Sequence, residues 1–252
     1  MEVFVLKIIT LNLKSKYKSA KSLFKIALIV ILAVSLLNVF ASAYLKSKLD
    51  EATISDITEK KTIILDAGHG GEDCGAIGAN GIYEKDLNLD ITNQLGKLLS
   101  EAGFAVIYTR TTDALLYSES ENIKGIRKIS DLKNRCKIGA EYPNAIYISV
   151  HMNSYRNPIY SGLQVYYSLK NEASSALAGA VQSSVKESLQ TDNNRKIKPG
   201  NDIYLMENLE NPAILIECGF LTNKSECNKL CQKEYQKQLC FSIYCGIIKY
   251  MN

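Results

Sequence analysis

From Thr62 to the C-terminus, short apolar runs alternate with longer stretches in which apolar residues recur every three or four positions. The short runs predict buried strands and the longer stretches predict helices, because side chains repeat every two residues in a strand and every 3.6 in a helix. The predicted strands are Thr62–Asp66, Ala105–Thr109, Ala145–Val150, Gly162–Ser168 as an edge strand, Ile203–Met206 and Ala213–Glu217. This alternation favours an α/β fold, a single domain whose mostly parallel, twisted sheet has helices on both faces.

The clearest helical stripe follows the first strand, with Asp86 as its expected cap. It consists of Leu87, Ile91, Leu95, Leu98 and Ala102, and Gly103 ends it. Further helices are predicted over Asp131–Glu141, over a stripe from Ala173 to Leu189, and over Glu234–Met251.

The N-terminus has a different pattern, an uncharged apolar run from Ile26 to Leu45 preceded by six lysines. Twenty residues of helix match the hydrocarbon thickness of a bilayer, and lysines before the run keep that end in the cytoplasm. Ala41-Ser42-Ala43 also fits a signal-peptidase site. Residues 1–45 are therefore predicted to be a basic tail with a membrane anchor or a cleaved signal, 46–60 a linker, and 61–252 an exported domain.

The net charge of +4 comes from this N-terminal part of the chain. Residues 1–50 carry eight Lys and two acidic residues, whereas the remainder carries 22 basic and 24 acidic residues. The body of the chain therefore lacks the basic excess that binding to nucleic acid requires, and no nucleic-acid partner is expected.

The chain contains two histidines, and both follow a predicted strand. His69 comes after the first strand in a glycine-rich loop, His151 comes directly after Val150, and a third strand leads into Glu217. If these strands are parallel neighbours, their carboxyl ends meet at the sheet edge where α/β proteins bind ligands. Each histidine alone would more often be structural, and Glu217 has the alternative of a salt-bridged core acid.

Two imidazoles and one carboxylate form a three-ligand zinc site with an open fourth position. Glu84 is the best candidate for the carboxylate, because it lies after the glycine-rich loop and just before a helix. Asp66, Asp73 and Asp86 are weaker candidates, since Asp66 belongs to the strand and Asp86 is the expected helix cap.

Four motifs in order resemble those of the zinc-dependent N-acetylmuramoyl-L-alanine amidases, the type-3 amidase family. They are Ile64-Leu65-Asp66-Ala67-Gly68-His69-Gly70-Gly71 with Glu84-Lys85-Asp86-Leu87-Asn88-Leu89, then Thr109-Arg110 with Asp113, then Ile148-Ser149-Val150-His151-Met152-Asn153-Ser154, and last Ile214 to Asn223. The segment from Leu116 to Asn134 departs from the family in being longer and more polar, and Cys218 replaces a residue that is more often another small one.

The resemblance implies that His69, Glu84 and His151 bind Zn²⁺ and that Glu217 is the catalytic glutamate. The expected reaction is hydrolysis of the amide between the lactyl group of N-acetylmuramic acid and L-alanine in peptidoglycan. Asn153 is a candidate for binding substrate or orienting His151, with a structural loop role as its alternative. Arg110 and Arg135 are candidates for binding substrate carboxylates, and a structural salt bridge is the alternative for each.

Other functions remain open from the sequence. They are a zinc carboxypeptidase, a cysteine hydrolase using Cys218 or Cys74 with His151, and a non-catalytic peptidoglycan-binding or regulatory module.

The plain arrangement, without wall-binding repeats, is similar to that of the amidases that mature the spore cortex before muramic lactam forms. A general autolysin or cell-separation amidase is the alternative. The expected location is the extracytoplasmic face of a bacterial membrane or the wall, with the forespore envelope as one case. An activating protein partner that loads the metal or opens the site is compatible with this interpretation.

Overall fold

The computed structural model describes residues 32, 34–46 and 61–251. Residues 61–251 belong to one compact unit, and the helical segment at 34–46 belongs to another. Among these residues, no helix has the length and apolar character needed to cross a bilayer. The predicted anchor at Ile26–Leu45 lies partly outside the described residues, and the predicted linker at 46–60 lies outside them except for Lys46, so both stay predictions.

The sheet has six strands in the order β2-β1-β3-β6-β4-β5. All neighbouring pairs are parallel except β4 and β6, which are antiparallel. The strands are β1 (Thr62–Ala67), β2 (Ala105–Tyr108), β3 (Ile146–Asn153), β4 (Gln164–Tyr167), β5 (Lys198–Pro199) and β6 (Ala213–Phe220). This confirms the predicted α/β class and the mostly parallel sheet.

Helices cover both faces of the sheet, as predicted. They are α1 (Glu84–Glu101), α2 (Arg127–Glu141), α3 (Ala173–Ser188), α4 (Tyr204–Asn208), α5 (Lys224–Leu230) and α6 (Lys233–Met251). The larger core joins one sheet face to α1, α3, α5 and α6, and the smaller core joins the other face to α2 and α4. Alternation along β1 explains the division, since Ile63 and Leu65 face the larger core and Ile64 the smaller one.

Three local predictions were wrong. The run Ile203–Met206 was predicted to be a strand, but Tyr204–Asn208 form α4. The strand around Gly162–Ser168 is not at the edge, because β4 lies between β6 and β5. Asp86 does not cap α1, because the helix begins at Glu84. The backbone N–H of Glu84 donates to Ala76 O at 2.9 Å, so a residue of the glycine-rich loop accepts a hydrogen bond from the first turn of the helix.

The seven cysteines are unpaired. Cys227 and Cys240 are fully buried in the larger core, where they pack as small apolar residues.

Gly246 of α6 lies directly against the backbone of α3. A Cβ at Gly246 would lie 2.6 Å from Val181 Cα and 2.9 Å from Ala180 O, both backbone atoms that cannot rotate away. Gly179 of α3 offers a matched control, because a Cβ there would meet nothing within 4 Å.

We therefore predict opposite effects from two glycine-to-alanine substitutions in helices. Gly246→Ala should lower the free energy of unfolding by ~1–3 kcal/mol through overpacking. Gly179→Ala should raise it by ~0.5–1 kcal/mol, because alanine loses less backbone entropy in a helix. Urea denaturation followed by circular dichroism measures both values, and shifts of the same sign would contradict the helix contact.

Candidate metal centre

His69, Glu84 and His151 meet at the carboxyl edge of the sheet. His69 lies two residues beyond β1, Glu84 is the first residue of α1, and His151 lies within β3. Glu84 Oε1 is 3.2 Å from His69 Nε2 and 2.9 Å from His151 Nδ1. One ligand atom from each residue lies within 4.8 Å of the other two. The adjacency of β1 and β3 therefore brings together residues that are up to 82 positions apart.

His69 is held in an unusual backbone conformation. Its φ is +61°, in the left-handed region that residues other than glycine rarely adopt. Arg135 donates to His69 O at 2.9 Å, and Asp73 Oδ2 lies 2.9 Å from His69 Nδ1. Metal-binding histidines commonly have such a carboxylate on the second ring nitrogen, which fixes the tautomer and directs the other nitrogen to the ion.

Gly68 allows the loop to approach His151. A Cβ at position 68 would lie 2.1 Å from His151 Nε2 and 2.3 Å from Cε1, so no larger residue fits without moving the imidazole. Glycine is therefore required at position 68, because the His151 ring occupies the space that a side chain would need.

The charge state of Glu84 suits a cation ligand. Burial alone would raise its pKa, but hydrogen bonds with His151 and His69 hold the pKa of Glu84 far below its usual range. Oε2 accepts the backbone N–H of Ala76 at 2.8 Å and Oε1 that of Met152 at 3.1 Å. For His69, burial opposes protonation, yet Asp73 and Glu84 raise its pKa to about 9. A divalent cation would compete with the proton for the same lone pair of His69.

Glu217 lies beside this cluster. It is the register partner of His151 on the neighbouring strand β6. Its Oε2 is buried and has no hydrogen-bond partner among the described residues, and burial raises the pKa of Glu217 to about 7. A carboxyl group of this kind can accept and return a proton near neutral pH.

The two histidines of the cluster and Glu217 line one cleft with a volume of about 410 Å³, and Glu84 contacts both histidines. Two imidazole nitrogens and one carboxylate oxygen converge there, and the cleft leaves room for a further ligand. This donor set fits a divalent metal ion with an open coordination position. The histidine and glutamate residues predicted from the sequence are thus together in space.

One detail of the sequence prediction was wrong. His151 lies inside β3 and not beyond its end, because this strand remains paired with β6 as far as Asn153; Glu217 lies within β6, as predicted, although that strand continues to Phe220. A register shift between His151 and Asn153 marks the place where the pairing changes.

The two predicted arginines are buried beneath the glycine-rich loop. Arg110 donates to Ala67 O at 2.8 Å and to Gly68 O at 3.0 Å. Arg135 pairs with Asp66 and Asp131 and donates to Ala67 O at 2.8 Å. Arg135 thus forms the structural salt bridges that were its alternative, whereas Arg110 has a structural role of another kind, in bonds to backbone carbonyls.

Asn153 lies two residues beyond His151, and its backbone carbonyl accepts the N–H of Leu221 at 2.8 Å. Its side-chain role stays a prediction. Asp73, which the sequence indicated only as a weak ligand candidate, instead contacts the far nitrogen of His69. Asp73 follows His69 by four residues, and this short spacing was the one feature of the sequence that indicated a contact between them.

The structure argues against Cys218 as the nucleophile of the cysteine-hydrolase alternative. Cys218 is fully buried in the larger core, where burial raises its pKa well above the usual value. Cys74 donates its thiol hydrogen to the neighbouring carbonyl of Gly75 at 3.3 Å. Cys218 is therefore closed to a substrate at the cleft.

Residues 63–249 match the model of the family described as N-acetylmuramoyl-L-alanine amidase. The chain belongs to this amidase family. The match confirms the family predicted from the sequence and the assignment as an enzyme. Because the family acts on peptidoglycan, the substrate of this amidase lies outside the cytoplasmic membrane.

Individual proteins that are similar to this chain are also N-acetylmuramoyl-L-alanine amidases, in agreement with the family match. The chain is 38% identical to the germination-specific N-acetylmuramoyl-L-alanine amidase of Bacillus subtilis (strain 168) over 190 residues, which are 75% of this chain and 79% of the relative. The CwlD amidase of Clostridioides difficile, solved in complex with the GerS lipoprotein, is 40% identical with a TM-score of 0.73 over 76% of this chain and 98% of that one. A second amidase, from Clostridium difficile 630, is 31% identical with a TM-score of 0.67 over 77% and 98%.

We predict that Gly68→Ala weakens metal binding by about 10- to 100-fold, the range typical of disturbed ligand orientation. The added methyl group would displace the His151 ring, whereas the strands below it would remain paired. Competition with a chromogenic chelator measures the affinity, and Gly179→Ala is the control. An unchanged metal affinity in a folded Gly68→Ala protein would contradict the assignment of His151 as a metal ligand.

Proposed function

We propose that this amidase is zinc-dependent, with His69, Glu84 and His151 as the three protein ligands and Glu217 as the group that transfers the proton. The observation that supports the proposal is the convergence of three ligand atoms within 4.8 Å beside a buried, unpartnered carboxylate oxygen. A set of two imidazoles and one carboxylate is common in zinc hydrolases.

Zinc, when bound, supplies Lewis-acid chemistry that lowers the pKa of water and polarises the amide carbonyl. Glu217 takes a proton from the water molecule whose oxygen forms the new bond to the lactyl carbonyl carbon. As the carbon–nitrogen bond breaks, Glu217 returns that proton to the departing nitrogen of L-alanine. The products are a lactyl carboxylate and a peptide with a free amino terminus.

The neighbours of Glu217 support this role. Its buried Oε2 has no hydrogen-bond partner among the described residues, and its raised pKa lies near the pH at which a general base and acid is most effective. Asp73 and Arg135 would hold His69 in place throughout, because they contact its second nitrogen and its carbonyl.

We expect Glu217→Gln and His69→Ala to separate hydrolysis from metal binding. Glu217→Gln should retain one zinc per chain and lose at least about 100-fold in kcat, because glutamine cannot accept the proton. His69→Ala should lose both zinc and hydrolysis. Metal content by mass spectrometry and release of amino termini on L-alanine from purified walls are the measurements. Full zinc in His69→Ala would refute the ligand assignment.

We further propose that the amidase acts on spore-cortex peptidoglycan, where loss of the stem peptide precedes formation of muramic lactam. Two relatives support this role. The amidase of Bacillus subtilis is described as germination-specific, and the CwlD amidase of Clostridioides difficile was solved in complex with the GerS lipoprotein. Residues 1–45 would direct the catalytic domain across the membrane as an anchor or signal, with the forespore envelope as its location. A lipoprotein partner that activates the enzyme is part of this proposal.

Muropeptide analysis tests the cortex role. In spores whose native chain is replaced by the Glu217→Gln variant, we expect muramic lactam to be absent while vegetative walls keep their composition. Altered vegetative walls or unseparated cells, with normal cortex, would instead indicate a general autolysin.

A further inference from the structure

Tyr155, Ile159 and Tyr160 form an exposed apolar rim on the surface of the protein. These residues belong to the loop between β3 and β4, which begins directly after Asn153. Their exposed fractions are 56%, 72% and 42%. The Tyr155 and Tyr160 rings meet edge to face, with centroids 5.2 Å apart. Apolar side chains clustered in this way on a surface commonly mark a binding site.

Arg195 fixes the position of the rim relative to Glu217. Its guanidinium lies 4.3 Å from the ring centre of Phe220 and 5.7 Å from that of Tyr160. It donates to Ser161 O at 2.8 Å and to Gln164 Oε1 at 3.2 Å. Gln164 is the register partner of Glu217 across β4 and β6. Arg195 therefore connects Tyr160 of the rim to β6, the strand that contains Glu217.

A cavity of about 570 Å³ opens beside Tyr160, and none of its lining residues belongs to the cleft at the metal centre. Amide and hydroxyl groups are frequent in its lining, which includes Tyr160, Gln190, Asn193, Asn194 and Tyr235. Its charged residues are balanced, with two acids, Asp192 and Glu226, and two bases, Arg195 and Lys229.

This lining suits an uncharged saccharide. Exposed aromatic rings pack against the C–H face of a pyranose, while amides and hydroxyls hydrogen-bond to sugar hydroxyl and acetamido groups. Stem peptides instead carry carboxylates and amino groups, for which a cavity without net charge offers no electrostatic preference. On the β1 side of the metal centre, by contrast, the cleft presents the exposed Lys128, 3.3 Å from Asp73.

We propose that Tyr160 and the cavity beside it form a saccharide subsite, which binds an N-acetylhexosamine flanking the muramoyl residue whose amide is cleaved. The subsite rests on the proposed function, since it places the glycan on the β4 side of the metal centre. The enzyme would then prefer muramoyl peptides within a glycan strand to isolated ones.

The test compares two substrates with two variants of the full chain. The substrates are a glycan strand carrying stem peptides and a single N-acetylmuramoyl peptide without neighbouring sugars. Tyr160→Ala should raise KM about tenfold on the strand, with kcat within about twofold, and leave KM on the single muramoyl peptide unchanged. Phe241→Ala, which removes an aromatic ring of similar exposure from α6, should alter neither substrate.

Direct titration separates this proposal from the catalytic one. Tetra-N-acetylchitotetraose should bind to the Glu217→Gln protein and to its Phe241→Ala derivative, but bind about tenfold more weakly to its Tyr160→Ala derivative. Equal KM changes on both substrates, or equal saccharide affinity with and without Tyr160, would overturn the subsite. If the wild-type chain hydrolysed neither substrate, the proposed function would fail, and the titration would still decide the subsite.

Discussion

The carboxylate of Glu84 lies between two imidazoles, and this contact depends on how three distant segments of the chain are brought together. Its Oε1 is 3.2 Å from His69 Nε2 and 2.9 Å from His151 Nδ1. The parallel pairing of β1 with β3 places the histidines at one sheet edge, and the glycine-rich loop sets the start of α1 so that Glu84 faces them. Asp73 and Glu84 raise the pKa of His69 to about 9, and a divalent cation would compete with that proton for the ring nitrogen.

Buried charges beneath the loop support this contact. Asp66 is fully buried; burial alone would raise its pKa, but Arg135 and hydrogen bonds from Ser149 and Thr109 lower it. Arg135 also holds the carbonyls of Ala67 and His69, so one guanidinium joins the sheet edge to the backbone of a proposed ligand. Removing one member of such a network leaves a charge unpaired inside the protein, which is strongly destabilising. The strained φ of His69 persists because its surroundings hold it from several sides.

The sequence predicted the parts of this arrangement that depend on local pattern. The apolar runs of β1, β3 and β6 located His69, His151 and Glu217 at one edge, because parallel strands end together. The run at Ile203–Met206 was assigned wrongly, since four apolar residues show no period that separates a strand from a helix. The contacts of Arg110 and Arg135 could not be predicted, because both side chains donate to the carbonyl of Ala67, which lies 43 and 68 residues away along the chain. Glu84 was preferred over Asp73 by its position before a helix, and the structure brings both carboxylates to His69.

X-ray absorption at the zinc edge of the purified, zinc-loaded chain tests the central claim most directly. The account predicts one zinc per chain with a first shell of nitrogen and oxygen only, including two imidazoles, at about 2.0–2.2 Å. A sulfur shell near about 2.3 Å would place the ion on cysteines, and a spectrum without imidazole scattering would place it away from His69 and His151. Either result would contradict the proposed centre.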